Sequence, residues 1–127
     1  KFMKILVDTN VLIYSAKNGF DLFSKLKHFG ASDILIPKKV VKELEQLSKT
    51  ANKGSDKKAA KLAIQIINYS EIKLIEIDSG HTDDAIISYS KINNNLVLTN
   101  DSELKKRLTT ENIKVLTLSN NKKLITS

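Results

Sequence analysis

The sequence contains no cysteine among its 127 residues. A disulfide framework, a zinc ribbon and a thiolate nucleophile are therefore excluded together, and any bound metal must be held by oxygen or imidazole ligands. No apolar run reaches the length of about eighteen residues that a membrane span needs, and the N-terminus lacks the apolar segment of a signal peptide. We therefore expect a soluble, cytoplasmic protein with no membrane partner.

Arginine is also scarce, since Arg107 is the only one, yet lysine and arginine together number 21 against 14 acidic residues. The formal charge of +7 favours a polyanionic partner such as nucleic acid, although lysine-rich surfaces also arise for solubility alone. Lysines act as flexible point charges, which suit phosphate backbones better than base edges. The densest basic region lies between Lys38 and Lys61, and a solvated helical face is its ordinary explanation. The lysines that we expect to contact a nucleic-acid backbone are Lys38, Lys39, Lys42, Lys49, Lys53 and Lys57.

Apolar runs that predict strands alternate with segments of helical periodicity along the whole chain. The predicted strands cover residues 4–7, 34–36, 72–77, 96–99 and 114–118, and the predicted helices cover 11–16, 20–29, 38–49, 57–68, a segment starting near 85, and 102–108. This alternation indicates βαβ units, and hence an α/β fold with a largely parallel sheet. We expect a single domain over residues 1–119, followed by a polar, basic tail over residues 120–127.

Acidic residues follow two of the predicted strands. Asp8 comes directly after the apolar run that ends at Val7, and Asp101 comes soon after the run that ends at Thr99. Each has an ordinary explanation as a helix cap, a role that Thr9, Asn10 or Asn100 could also fill. The functional alternative is that both lie at the carboxyl edge of a parallel sheet, where open α/β folds bind their ligands.

Other acidic residues lie on helices that reach the same edge. Glu43 lies at the margin of the apolar stripe of the predicted helix 38–49, where an unpaired carboxylate is costly. A surface salt bridge with Lys39 is the alternative. Asp83 and Asp84 fall in or beside the first turn of another predicted helix, where acids complement the helix dipole. One of the two would join the same group of carboxylates.

Four carboxylates at one sheet edge would repel one another strongly. Two unit charges about 4 Å apart cost roughly 4 kcal/mol at an effective dielectric constant near 20, whereas a folded domain is stable by only about 5 to 15 kcal/mol. Either some of these groups are protonated or cations lie among them. Oxygen ligands without cysteine indicate Mg²⁺ or Mn²⁺. A basic protein with an acidic metal pocket is suited to the hydrolysis of phosphodiester bonds.

The chain resembles PIN domains in an ordered set of motifs that spans nearly its whole length. The motifs are Asp8-Thr9-Asn10 after an apolar strand, Pro37 through Glu43-Leu44 on a helix, Asp84-Ala85-Ile86-Ile87, and Thr99-Asn100-Asp101 followed by Leu104. The resemblance implies a three-layer α/β sandwich with a mainly parallel five-stranded sheet in the order 3-2-1-4-5. It also implies a Mg²⁺- or Mn²⁺-dependent endoribonuclease.

The same resemblance implies the site residues. The implied catalytic residues and metal ligands are Asp8, Glu43, Asp84 and Asp101, supported by Asn10 and Thr99. Asp84 is preferred to Asp83 because the family's acid directly precedes small and apolar residues. Asp83 is then an alternative ligand or a supporting residue.

Within the family, the doubled Asp83-Asp84 and the sequence around Asp101 are most similar to the branch that processes ribosomal RNA. This implies ribosomal RNA as the substrate, a homodimer, and a ribosome-assembly protein as a partner. Toxin ribonucleases share the same acids, so a toxin with an antitoxin partner is an alternative. Two hypotheses from other classes are a non-catalytic RNA-binding assembly factor and a phosphoacceptor receiver domain. A receiver would carry an acidic pair directly after its first strand, whereas here Thr9 follows Asp8.

Overall fold

The computed structural model describes residues 3–126, which form a single sheet covered by helices on both faces. The strands are β1 (Lys4–Val7), β2 (Asp33–Pro37), β3 (Lys73–Ile75), β4 (Leu96–Leu98), β5 (Val115–Leu118) and β6 (Leu124–Thr126). The helices are α1 (Thr9–Lys17), α2 (Leu22–Phe29), α3 (Lys38–Thr50), α4 (Gly54–Asn68), α5 (Thr82–Asn93) and α6 (Ser102–Thr110). Within residues 3–126, no helix combines the length and apolar character needed to cross a membrane.

The sheet has the strand order β3-β2-β1-β4-β5-β6, and β1 to β5 are parallel. This confirms the predicted α/β class and the order 3-2-1-4-5. Leu6 of β1 lies between Leu35 of β2 and Val97 of β4. The chain therefore builds outward from β1 in both directions, and the gap between the ends of β1 and β4 is the switch point where such sheets bind ligands.

Alternate residues of β1 face opposite layers of the sandwich. Ile5 and Val7 belong to the apolar cluster that contains residues of α1 to α4, and Leu6 belongs to the cluster that contains residues of α5 and α6. Strand side chains alternate between the two faces of a sheet, so a strand that is apolar throughout must be covered on both sides. The three-layer arrangement predicted from the resemblance is thereby confirmed.

The sheet has one strand more than the five predicted. Leu124–Thr126 lies within the segment expected to be a polar tail, and it pairs antiparallel with β5, with Ile125 opposite Thr117. This strand is only three residues long and follows a polar turn, so it carries almost no periodic signal. Its partner β5 has the predicted bounds almost unchanged.

Candidate active site

A cleft of about 450 Å³ opens at the carboxyl edge of the sheet, where β1 and β4 end. It is lined by Asp8, Thr9, Asn10, Glu43, Gln46, Leu47, Thr82, Asp83 and Asp101. These residues come from the β1–α1 junction, from α3, from the start of α5 and from the residue that caps α6. The convergence of acids at this edge, expected from the strand order, is thus present.

Asp8 is both a helix cap and the most buried acid of the cleft. It is 7% exposed. The amide of Thr9 donates to Oδ1 at 2.8 Å, and the hydroxyl of Thr99 donates to Oδ2 at 2.9 Å. Burial raises the pKa of Asp8, and the nearby charges of Asp83 and Glu43 raise it further, while the hydrogen bonds from Thr99 and Thr9 oppose this. Asp8 therefore both caps α1 and contributes a carboxylate to the cleft, so the two explanations considered from the sequence apply together.

Asp101 caps α6, and its side chain lines the opposite side of the switch point. Its Oδ1 accepts the amides of Glu103 at 2.9 Å and Leu104 at 3.1 Å. Its own amide donates to the Thr99 hydroxyl at 3.1 Å. Thr99 is fully buried. Its hydroxyl therefore links the Asp8 carboxylate to the backbone of Asp101.

Glu43 is held by two hydroxyl groups rather than by a lysine. Thr9 Oγ1 donates to Glu43 Oε1 at 2.7 Å, and Thr82 Oγ1 donates to Oε2 at 2.9 Å. Lys39, the alternative partner considered from sequence, instead donates to the carbonyl of Gly80. One carboxylate thus connects α1, α3 and α5. Thr82 was missed by the sequence analysis, and no pattern in the sequence distinguishes it from an ordinary helix-start residue.

The structure separates the two adjacent aspartates of α5. Asp83 lines the cleft, whereas Asp84 lies outside it and accepts a hydrogen bond of 2.5 Å from Nη2 of Arg107. Burial raises the pKa of Asp83, Asp101 is the next largest cause, and Arg107 opposes it. The same arginine lowers the pKa of Asp84, mainly through their hydrogen bond. Of the pair, the structure therefore brings Asp83 and not Asp84 together with the other acids.

The two remaining polar residues near the strand ends have different roles. Asn10 is exposed and lines the cleft. Asn100 does not line the cleft; its side chain donates to the carbonyl of Leu118 at 3.0 Å and accepts the amide of Leu118 at 2.8 Å. Asn100 thereby pairs the end of β5 with the chain that follows β4. This leaves Asp101 as the cap of α6.

None of the lysines expected to contact nucleic acid lines the cleft. Lys42, Lys49 and Lys53 are exposed and form no ion pair within residues 3–126. Lys38 pairs with Glu76 at 3.1 Å. Lys57 is half-buried at the start of α4. Lys42 and Lys49 belong to α3, the helix that also carries Glu43, and Lys53 lies in the connection between α3 and α4.

The donor set fits a hard divalent cation in its chemistry and its charge. Asp8, Glu43, Asp83 and Asp101 offer only oxygen atoms. Burial is the main cause of the raised pKa values of Asp8 and Asp83, and the charges of neighbouring acids contribute to both. Within residues 3–126, however, no three histidine or acidic side chains lie close enough together to hold one ion. The carboxylates thus share one cleft without forming a closed coordination shell in this structure.

The chain is similar to known proteins along nearly its whole length. A family model described as a PIN like domain matches residues 5–121. Ribonuclease VapC4 of Methanocaldococcus jannaschii is 38% identical over 124 residues, covering 94% of this chain and 92% of that protein. Ribonuclease VapC9 of Archaeoglobus fulgidus is 34% identical over 119 residues, covering 94% and 85%.

Solved structures show the same fold. The PIN domain endonuclease Utp24 superposes with a TM-score of 0.76 at 24% identity, covering 94% of this chain and 87% of that one. VapBC2 from Rickettsia felis, bound to a DNA fragment from its promoter, gives a TM-score of 0.61 at 18% identity, covering 91% and 98%. At these identities the likeness concerns the fold alone. The family model and both curated relatives span nearly the whole chain, and the chain therefore belongs to the PIN-like domain family.

Proposed function

We propose that the protein is a divalent-metal-dependent endoribonuclease. The observation that carries this proposal is the convergence of four carboxylates on one cleft at the switch point of the sheet. Membership of the PIN-like family and two relatives named as ribonucleases support it. The net charge of +7 complements a polyanionic substrate.

In this proposal Asp8, Asp83 and Asp101 hold the metal, with Glu43 completing the set. Asp83 takes the place that the resemblance gave to Asp84, because Asp83 is the one that lines the cleft. A divalent ion held by these carboxylates would supply activation of water and compensation of phosphate charge. The protein itself orients the carboxylates through helix-capping hydrogen bonds and through hydrogen bonds from threonine hydroxyls. Its exposed lysines attract the RNA to the protein surface.

The exposed lysines of α3 and of the α3–α4 connection are proposed to bind the phosphate backbone. Lys42, Lys49 and Lys53 are exposed and free of ion pairs within residues 3–126, so they can approach a phosphate without losing a protein partner. Such contacts fix the orientation of RNA without reading its sequence. Asn10, which is exposed and lines the cleft, is proposed to contact the substrate.

The test is cleavage of single-stranded RNA by the purified protein with Mn²⁺. We expect products with 5′-phosphate and 3′-hydroxyl ends, and a loss of at least about 100-fold in rate for Asp8→Asn, since substitution of a residue that only supports a metal ligand already costs about 10- to 100-fold. Asp33→Asn is a matched control, because Asp33 makes a surface ion pair with Lys73 at the opposite edge of the sheet. Equal cleavage by Asp8→Asn and Asp33→Asn would refute the assignment. If no RNA is cut but RNA binding falls steeply with salt, the non-catalytic assembly factor is the better account.

The biological setting has two candidates, ribosomal RNA processing and a toxin of a toxin–antitoxin pair. Both curated relatives carry the name Ribonuclease VapC at 38% and 34% identity, and this favours the toxin. Controlled expression in a bacterial host separates the two settings. A toxin is expected to arrest growth unless it carries Asp8→Asn, whereas a processing enzyme is expected to cut precursor ribosomal RNA without arrest. The homodimer implied by the resemblance stays a prediction, which sedimentation of the purified protein would test.

A further inference from the structure

A second polyanion-binding surface lies away from the acidic cleft, and we propose that it holds the phosphate backbone of the RNA beyond the cleavage point. This surface, the basic pocket, is a hollow of about 610 Å³ whose lining includes Lys25, Lys122 and Lys123. The inference rests on the proposed function for the identity of the polyanion.

The basic pocket carries positive charge that the fold does not neutralise. Its lining has three lysines and a single acidic residue, Asp21, whose carboxylate is engaged in capping α2 through the amide of Ser24 at 3.1 Å. Within residues 3–126, none of the three lysines forms an ion pair. Lys25 and Lys122 are half-buried as residues, which restricts the positions of their side chains, and neither has gained a carboxylate partner.

Both half-buried lysines are placed by the same aromatic ring. Lys25 Nζ lies 5.8 Å from the centroid of Phe20, and Lys122 Nζ lies 5.4 Å from it. Tyr14 contacts Phe20 edge to face, with 6.2 Å between the ring centroids. The ring attracts each cation but carries no net charge. Both positive charges therefore remain available to an anion such as a phosphate group.

The turn between β5 and β6 (residues 119–123) presents Lys122 at an energetic cost. Lys122 has a φ of 62°, a left-handed conformation that glycine or asparagine adopts more easily. The turn is closed around it by hydrogen bonds from the amide of Lys122 to the Ser119 carbonyl at 2.9 Å and from the amide of Ser119 to the Lys123 carbonyl at 2.8 Å. Lysine is more strained in this conformation than glycine or asparagine would be. We take its presence here as an indication that the ammonium group has a function, which neither of those residues could supply.

The basic pocket and the cleft are connected through the end of the sheet. Asp101 lines the cleft, and its neighbour Asn100 binds both backbone polar groups of Leu118, the last residue of β5. The turn that carries Lys122 begins at the next residue. In this proposal, an RNA strand that leaves the cleft on the β5 side contacts the lysines of the basic pocket. A strand that leaves over α3 contacts the exposed lysines of α3 instead. A long RNA would use both surfaces, and a very short one would occupy the cleft alone.

The test compares two oligouridylates in the Asp8→Asn background, which prevents cleavage: one of 20 nucleotides and one of 6. The variant is the pair Lys25→Gln and Lys122→Asn, in which asparagine tolerates the left-handed turn. We expect the affinity for the 20-mer to fall about fivefold or more at moderate salt, and the slope of log affinity against log salt to fall by about 0.7 per lysine removed. Binding of the 6-mer should be unchanged.

The matched control is the pair Lys91→Gln and Lys114→Gln, which removes the same charge from a hollow at the opposite edge of the sheet. If this control weakens binding of the 20-mer as much as the variant does, the basic pocket is not an RNA site. Oligoglutamate provides a second comparison. If it binds more tightly than the 20-mer, and if the substitutions at Lys25 and Lys122 remove this binding, the pocket is a site for an acidic protein segment and the inference is wrong. Absence of cleavage by the wild-type protein would refute the proposed function alone, because the binding comparison does not depend on it.

Discussion

Thr99 Oγ1 donates a hydrogen bond of 2.9 Å to Oδ2 of Asp8, a residue 91 positions earlier in the chain. The same hydroxyl oxygen accepts the amide of Asp101 at 3.1 Å. A single buried hydroxyl thus fixes the ends of β1 and β4 relative to each other at the point where the cleft begins. The geometry of the cleft depends on this group as much as on the acids themselves.

Thr99→Val should destabilise the protein by about 1 to 3 kcal/mol, because Oδ2 of the buried Asp8 carboxylate and the amide of Asp101 both lose the hydroxyl to which they are hydrogen-bonded. Urea denaturation at neutral pH would measure this. Thr110→Val is the control, since the Thr110 hydroxyl binds only a carbonyl of its own helix at an exposed position, and it should change stability by less than about 0.5 kcal/mol. Equal stability of the two variants would contradict the role given to Thr99.

Asp8→Asn should stabilise the metal-free protein at neutral pH while removing cleavage. The folded-state pKa of Asp8 is raised, chiefly by burial, so the folded protein binds this proton more tightly than the unfolded chain does. Above the folded-state pKa of Asp8, the stability of the folded protein is reduced by the full free-energy cost of ionising this buried group. The cost becomes smaller as the pH falls below the folded-state pKa, and it vanishes below the pKa that Asp8 has in the unfolded chain. The free energy of unfolding of Asp8→Asn should therefore exceed that of the wild type at neutral pH and approach it in the acidic range.

Denaturation of both proteins across this pH range, in the presence of a chelator, would check the sign. A wild type that is more stable than Asp8→Asn at neutral pH would show that the hydrogen bonds of the carboxylate outweigh its burial. Added Mg²⁺ should reverse the order, because an ion at ten times its dissociation constant stabilises the wild type by about 1.4 kcal/mol.

Asp83→Asn and Asp84→Asn should differ sharply in activity. Asp83 lines the cleft, so its substitution should abolish both cleavage and the stabilisation by Mg²⁺ or Mn²⁺. Asp84 is an exposed partner of Arg107, and exposed pairs contribute about 0 to 1 kcal/mol to stability. Its substitution should leave cleavage within a few-fold of wild type. The reverse result, measured by rate and by metal-induced thermal shift, would restore the preference for Asp84 that the resemblance implies.

Thr82→Val should weaken metal dependence without unfolding the protein. Its hydroxyl donates to Glu43 Oε2 at 2.9 Å, so valine removes one of the two contacts that orient this carboxylate. The Mn²⁺ concentration for half-maximal cleavage should rise about tenfold, in line with losses of indirect metal contacts, and the rate at saturating Mn²⁺ should change less. Thr82→Ser keeps the hydroxyl and should restore wild-type behaviour. Failure of serine to restore it would mean that the methyl group matters rather than the hydrogen bond.

The strand ends and their acids were predictable because the signal is local. An uninterrupted apolar run before Asp8, and another shortly before Asp101, identifies buried parallel strands, and parallel strands bring their ends to one edge. The choice between Asp83 and Asp84 was not predictable in this way. Adjacent residues on a helix point about 100° apart, and which one faces the cleft depends on the rotation of α5 and on Arg107, which is 23 positions away.

Two further features lay beyond sequence reasoning for related reasons. β6 is three residues long, so neither period 2 nor a buried run can be recognised in it. The hydroxyl contacts of Glu43 join Thr9 and Thr82, which lie 34 and 39 positions away from it in opposite directions. Contacts of this kind depend on how helices are placed on the sheet and leave no trace in the neighbouring residues.

The cleft takes side chains from Asp8 to Asp101, and this spread has a consequence for the newly made protein. A polypeptide still emerging from the ribosome cannot form this cleft until Asp101 is free to fold, because β4 is the neighbour of β1 and Thr99, the residue after β4, carries the hydroxyl that orients Asp8. No shorter nascent segment can therefore bring the four carboxylates together.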